Sequence, residues 1–174
     1  MFYVTVDPKS LVLILHPEPI LRKRANEVNP DDSIVRKVAQ KMVEIMFENH
    51  GAGLAAPQVG LPWRIFVTRD PDNEELGIVW INPKIETIGD ECDSEEEGCL
   101  SLPDVRGNIR RPVSIKISGH NIDGKLVDME SDDFIARVWQ HEHDHLDGVL
   151  IIDKMSAMDR LINRRLIRDL ERLK

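Results

Sequence analysis

The chain has 174 residues, of which 41% are hydrophobic and 31% charged, with a formal net charge of −8. One domain over residues 1–174 is expected, long enough to bury a sizeable core, with the composition of an ordinary soluble globular protein. Two cysteines, Cys92 and Cys99, are too few for a disulfide framework, the apolar run Leu11-Val12-Leu13-Ile14-Leu15 stops at His16-Pro17 far short of a membrane span, and Met1 to Asp7 lacks basic signal or Arg-rich transit character, so a reducing, cytoplasmic setting is expected.

Residues 32–49 are predicted to be helical, because Ile34, Val38, Met42, Ile45 and Met46 form an apolar stripe at helical spacing. Next comes Gly51-Ala52-Gly53-Leu54-Ala55-Ala56-Pro57-Gln58. Its first six residues fit the dinucleotide fingerprint G-x-G-x-x-A, but that loop needs a strand before it and a helix after it. Here a helix precedes it and Pro57 would interrupt a helix that followed, so a nucleotide fold is not supported. Two readings remain. One is a plain glycine turn; the other is bare backbone that a substrate can approach at Gly53, followed by a Gln58 amide able to donate to an oxyanion.

Residues 64–68 and 77–81 read as short strands separated by the turn-forming Asp70-Pro71-Asp72-Asn73. The tract Asp90-Glu91-Cys92-Asp93-Ser94-Glu95-Glu96-Glu97 reads as a solvated acidic loop. Residues 113–118 alternate as a strand does, and Asn121-Ile122-Asp123-Gly124 predicts a hairpin turn. A second long helix is expected to run from Asp133 into His141-Glu142-His143-Asp144-His145, since the stretch before the motif holds neither Gly nor Pro. Ser156 with Asp159 three residues later signals a final helix over residues 156–173. Along it Arg160, Arg164, Arg168 and Arg172 recur every four residues, opposed by an apolar stripe of Ile162, Leu166, Leu170 and Leu173. Residues 154–174 carry seven basic residues against Asp159, Asp169 and Glu171, the reverse of the chain as a whole. A solvated helix docked by its leucines and a polyanion contact are both open readings. The element pattern is α+β.

On a helix, His141 and His145 lie four apart on one face and can chelate one ion. Glu142 is rotated about 100° from that ray, where it can take a proton from water instead of ligating. His143, about 200° round from His141, is expected to be exposed; His16, His50 and His120 are given no role. A catalytic centre of this kind needs a third protein ligand and one open position. The pattern H-E-x-x-H-x-x-G-x-x-H is followed as far as Gly148, but Ile151 stands at the last His, which excludes the metzincins. Glu171, the only Glu after the motif, sits among Arg168, Arg172 and Lys174, as a solvated helix face would. Upstream, Cys99 in Glu97-Gly98-Cys99-Leu100-Ser101 offers a thiolate, and one thiolate with two imidazoles suits a borderline-soft divalent ion. A lone cysteine is also an ordinary small buried hydrophobe, and both readings stand.

Together these segments resemble the peptide deformylase family, whose motifs read G-x-G-x-A-A-x-Q, E-G-C-L-S and Q-H-E-x-D-H-L. The chain has them, in that order, at Gly51 to Gln58, Glu97 to Ser101 and Gln140 to Leu146. Weaker likeness at Pro19-Ile20-Leu21-Arg22 and Ile81-Asn82-Pro83 extends the resemblance over nearly the whole chain. It implies small antiparallel sheets surrounding a central motif-bearing helix, with an N-terminal and a C-terminal helix. It also implies that Cys99, His141 and His145 hold one divalent ion, ferrous iron first, with zinc, nickel or cobalt as substitutes. Glu142 would move the proton, while the Gln58 amide and the Leu100 backbone N–H would hold the oxyanion. The bond cleaved would be the formyl amide on the N-terminal methionine of new polypeptides, releasing formate.

Glu97, a member of the family motif, is expected to pair with an arginine such as Arg111. Phe134 and Val138, on the His141 face, are expected to read the methionine, with Arg137 laying its stem along the wall and its head in solvent. Backbone near Gly53 and Gly98 would pair with an extended peptide, and Arg106 stands where the family has an arginine near the peptide entrance. The implied partners are formylmethionyl nascent chains in a bacterial cytoplasm and, through the basic final helix, the ribosome, with neither DNA nor membrane. Two other readings stay open. One is a metallopeptidase using Glu171 in place of Cys99; the other is a non-catalytic module with a structural ion and an RNA-binding helix.

Overall fold

The computed structural model describes residues 6–172. Leu173, expected in the apolar stripe of the last helix, and Met1 to Thr5, read above for leader character, lie outside the described residues. Helix α1 (Ser33–Glu48) starts where the Asp32 carboxylate accepts a hydrogen bond from Ile34 N at 2.9 Å, satisfying one of the free donors of the first turn. It buries Val35, Val38, Ala39, Met42, Ile45 and Met46. Five strands then form one antiparallel sheet in the order β1 (Gly53–Ala55), β2 (Ile65–Arg69), β3 (Gly77–Cys99), β4 (Leu102–His120) and β5 (Leu126–Ser131).

Strand alternation decides which helix each side chain meets. Leu54, Ile65, Val67, Val79 and Ile81 pack with α1, whereas Ala55, Phe66 and Trp80 pack with Ala136, Val138, Trp139 and Leu146 of helix α2 (Phe134–Leu146). Trp80 and Trp139 meet edge-on with ring centroids 5.9 Å apart. The motif helix is therefore set against the sheet on the side away from α1, and its buried face is fixed by these aromatic contacts.

Strands β3 and β4, of 23 and 19 residues, are much longer than the segments alternation predicts. Their ladder is interrupted by register shifts between Ile81 and Lys84, Ile88 and Cys92, and Gly98 and Cys99. What reads as several small sheets is thus one hydrogen-bonded ladder divided at bulges. The acidic tract expected as a loop lies within β3. Asp93 pairs with Arg111, Glu95 with Ile109 and Glu97 with Gly107 across the ladder. Ladder hydrogen bonds and cationic neighbours outweigh the poor strand propensity of acidic residues. The residue between Cys99 and Ser101, Leu100, lies in the tight reversal into β4.

Helices α3 (Ile151–Lys154) and α4 (Ala157–Arg172) cover the start of β4, where Leu102, Val105 and Ile109 meet Leu150, Ile151, Met155 and Leu170. Ser156 Oγ accepts from Asp159 N at 3.0 Å and donates to its carboxylate at 2.7 Å, capping α4. The docked face of α4 differs from the expected stripe. Asn163 and Leu170 are buried and Ile167 packs beside them, while Ile162 and Leu166 are 71% and 39% exposed. The cause is Asn163, whose Nδ2 donates to Arg106 O at 2.7 Å and fixes the rotation of the helix. Among the described residues no helix is long and apolar enough to cross a membrane.

Candidate active site

One turn of α2 brings His141 and His145 side by side, with ring centroids 5.0 Å apart. Cys99, last residue of β3, comes up from the sheet with Sγ 3.3 Å from His145 Nε2. The donor atoms of Cys99, His141 and His145 all lie within 4.8 Å of one another. A tetrahedral ion bound at about 2.0–2.3 Å needs donors roughly 3.3–3.6 Å apart, so this soft, mixed sulfur–nitrogen set fits a divalent transition ion. Glu171 is not part of the group. It lies on α4 with its carboxylate 3.6 Å from His16 Nε2. His143, expected in solvent, is half-buried on the far side of α2, with Arg64 Nη2 3.2 Å from its Nε2. Arg64 is itself tied to Asp147 at 2.8 Å, which closes a polar cluster over that face.

Glu97 orients His141. Its Oε1 accepts from Arg111 Nε at 2.5 Å and from Arg137 Nη1 at 2.8 Å; its Oε2 accepts from Arg111 Nη2 at 2.8 Å and lies 3.0 Å from His141 Nδ1. A carboxylate so placed accepts a hydrogen bond from Nδ1–H, which fixes the proton there and leaves the Nε2 lone pair free to ligate. Burial opposes the Glu97 charge, but the hydrogen bonds from Arg111 and His141 outweigh it and hold the carboxyl far below the usual range. Burial likewise opposes charge on His141, and Cys99 and Glu97 beside it draw its pKa up. His145 has no such carboxylate. Burial, with the neighbouring His141, drives its pKa well down, so it is held as neutral imidazole.

Glu142 is 4% exposed, and its Oε2 has no hydrogen-bond partner among the described residues. Burial is the main cause that raises its carboxyl to about 7, against the pull of His141. It borders a cavity of about 740 Å³ that also exposes Gly53, Gln58, Gly98, Cys99, Leu100, Arg106, Phe134, Val138 and His141. Gly53 passes so close that a Cβ there would lie 2.6 Å from Glu142 Oε1. The Gln58 amide is oriented by the backbone three residues earlier: Oε1 accepts from Ala55 N at 2.8 Å, which turns Nε2 toward Ser101 Oγ at 3.2 Å and Cys99 Sγ at 3.6 Å. Val138 is a buried wall residue, and Phe134, 65% exposed, stands at the rim.

Arg137 corrects an expectation. Its head is not in solvent but buried, bonded to Glu97, to Ile109 O at 2.9 Å and to Asp93. Asp144, which received no role from the sequence, accepts from Arg111 Nη1 at 2.9 Å and from Lys154 at 2.7 Å. A signal for Arg137 was available: Asp93, Glu95 and Glu97 alternate on one strand face, and Arg137 stands between apolar Phe134 and Val138 on its helix.

A His-Glu-x-x-His helix completed by a cysteine from a strand end, inside an α+β fold, defines a class of metal-centre hydrolases. Comparison with known proteins narrows the class. The Polypeptide deformylase family profile matches residues 11–161. The peptide deformylase of Thermotoga maritima is 44% identical over 155 residues, covering 89% of this chain and 93% of its own length. A crystal structure of peptide deformylase from Plasmodium falciparum superposes with a TM-score of 0.86 at 37% identity, over 92% of this chain and 95% of that one. That of the Thermotoga maritima protein gives 0.78 at 42% identity, over 84% and 97%. The chain belongs to the peptide deformylase family, enzymes that remove N-formyl groups from nascent peptides.

Proposed function

We propose that residues 1–174 form a single catalytic domain that hydrolyses the formyl amide of N-terminal formylmethionine, with Cys99, His141 and His145 holding one divalent ion. The observation that carries this reading is the meeting of three donors from two elements beside a buried carboxylate on a cavity wall, whose Oε2 has no hydrogen-bond partner among the described residues. A bound ion would supply Lewis acidity, polarising the formyl carbonyl and acidifying water. Glu142 accepts a proton as water adds to the formyl carbon and returns one to the departing amine, so that formate and a free N-terminus result. The Gln58 Nε2–H and the Leu100 backbone N–H donate to the oxygen on which charge develops. Phe134 and Val138 flank the methionine side chain, the backbone at Gly53 and Gly98 pairs with the extended peptide, and Arg106 borders its entrance. Iron(II) is the ion we assign, with zinc, nickel or cobalt as substitutes, because the donor set admits all four.

Formate release from a formyl-methionyl tripeptide, set against cleavage of an unformylated peptide, tests the reaction, with metal analysis on the same sample. Cleavage of internal bonds alone would replace this reading with a peptidase. Activity lost in air and restored by nickel supports iron; activity stable in air with native zinc removes it. The free thiols of Cys92 and Cys99 fit a reducing bacterial cytoplasm. We further assign ribosomal RNA as a contact of α4, on which Arg160, Arg164, Arg168 and Arg172 are all exposed. Replacing the four should abolish cosedimentation with ribosomes; unchanged binding removes the assignment.

A further inference from the structure

We infer that Arg69 is a positioning residue: its side chain holds Gly51 in place beyond the end of the β1–β2 ladder, and so fixes the Gly53 backbone with which a peptide pairs. The inference rests on the proposed pairing of an extended substrate at Gly53. β1 is an end strand of the sheet, so β2 takes one of its edges and the other is open to a further strand. Arg69 N donates to Ala52 O at 3.0 Å. Hydrogen-bonded residues alternate along an antiparallel pair, so with Ala52 bonded to β2 the N–H and C=O of Gly53 face the open edge. Gly51, Ala52 and Gly53 all line the cavity there.

Past the pair of Arg69 with Ala52, the backbone of β2 offers the glycine turn no further donor. Asp70 N is used by Leu76 O at 2.9 Å, and Pro71 has no N–H. The Arg69 side chain continues the contact instead. It lies on the same face of β2 as Ile65 and Val67, which pack with α1, and its Cζ sits 4.6 Å above the centre of the Phe47 ring. From there Nε donates to Gly51 O at 2.8 Å and Nη1 to Glu74 O at 2.9 Å. Gly51 N donates to Met46 O at 2.9 Å, so the turn is held by α1 through its N–H and by Arg69 through its carbonyl. One planar fork thus ties the glycine turn to the segment between β2 and β3 while lying on a ring. A lysine, a compact point charge on a flexible stem, does not reproduce that geometry.

The test is Arg69→Gln and Arg69→Lys, with steady-state kinetics on formyl-Met-Ala-Ser in samples of equal metal content. Backbone pairing along the edge is made alike by bound substrate and transition state, so its loss falls on KM. KM should rise by about tenfold in both variants, the scale of one net hydrogen bond, with kcat little altered. Calorimetry with the product Met-Ala-Ser should show its Kd rising by the same factor, a readout that does not pass through the reaction. An unchanged KM in the lysine variant overturns the inference, because charge over Phe47 would then suffice. A fall in kcat larger than the rise in KM also overturns it, since Arg69 would then act on the reacting groups and not on the peptide edge. Should the glutamine variant fail to fold, the lysine variant makes the same comparison alone. Should the parent chain release no formate, the reading of the reaction fails separately and the peptide affinities decide. Weaker binding by the variants still upholds the role of Arg69; equal binding, or none by the parent, overturns it.

Discussion

Gly53 and Glu142 are packed so that a single methyl group on the glycine would lie 2.6 Å from Oε1 and 2.7 Å from Cγ of the glutamate. Contacts that short cannot persist, and the Glu142 side chain is the part able to move. Gly53→Ala is therefore expected to lower kcat without loss of metal, because it displaces the proposed proton carrier and leaves the proposed ligands Cys99, His141 and His145 in place. Glu142→Gln sets the scale: a positioned acid–base group is worth about 10²–10⁴ in rate, so kcat should fall by that factor while metal analysis returns the same content. At Gly98 the nearest atom to an added Cβ is Nη1 of Arg106, at 2.9 Å. That is the far end of a flexible side chain, so Gly98→Ala should be much milder in a formate-release assay. The sequence identified both glycines as places of close approach, but which neighbour each one approaches was not legible. For Gly53 that depends on α2 meeting β1, a contact between segments some ninety residues apart; for Gly98 it depends on the register of β3 against β4.

Arg111 joins three elements, binding Glu97 of β3 bidentately and Asp144 of α2 while standing in β4. Arg111→Met would take the bidentate partner from buried Glu97, leaving it Arg137 and the His141 ring, and would leave Asp144 with Lys154 alone. Removal of one partner of a buried pair costs roughly 3–5 kcal/mol, and urea denaturation should show a loss of that order. The expected Glu97–Arg111 pair is present, yet the strand that carries it has the sequence of a solvated acidic loop. Search for apolar alternation recognises strands with one wet and one dry face, whereas residues 90–97 alternate between solvent and arginine. Helix α4 shows the same limit. Its start follows from Ser156 and Asp159, but its rotation follows from Asn163 bonding the Arg106 backbone. Asn163→Ala should cost about 1–3 kcal/mol by leaving those buried groups unpaired, with amide exchange rising first in α4.

A ligand bound only by the folded chain stabilises it by mass action, by about 2.7 kcal/mol when its free concentration is a hundred times Kd. Stripping the ion with a chelator should therefore lower Tm in scanning calorimetry, and returning zinc or nickel should restore it. An unchanged Tm would mean that the cluster of Cys99, His141 and His145 binds no ion tightly. At this scale the amino-acid sequence by itself determined the α+β class, the two long helices about the sheet, and the chemical identity of the metal-binding cluster. Those properties are encoded locally, in helical periodicity, in four-residue histidine spacing and in short motifs whose residue types carry their chemistry. Tertiary structure alone decided that β3 and β4 form one long bulged ladder and that α4 docks through Asn163 and Leu170. It also decided that the head of Arg137 is withdrawn from the cavity and that His143 is covered by Arg64. Each of these is settled by a partner distant in the chain, and a charged side chain faces water or a counter-charge according to what the fold brings opposite it.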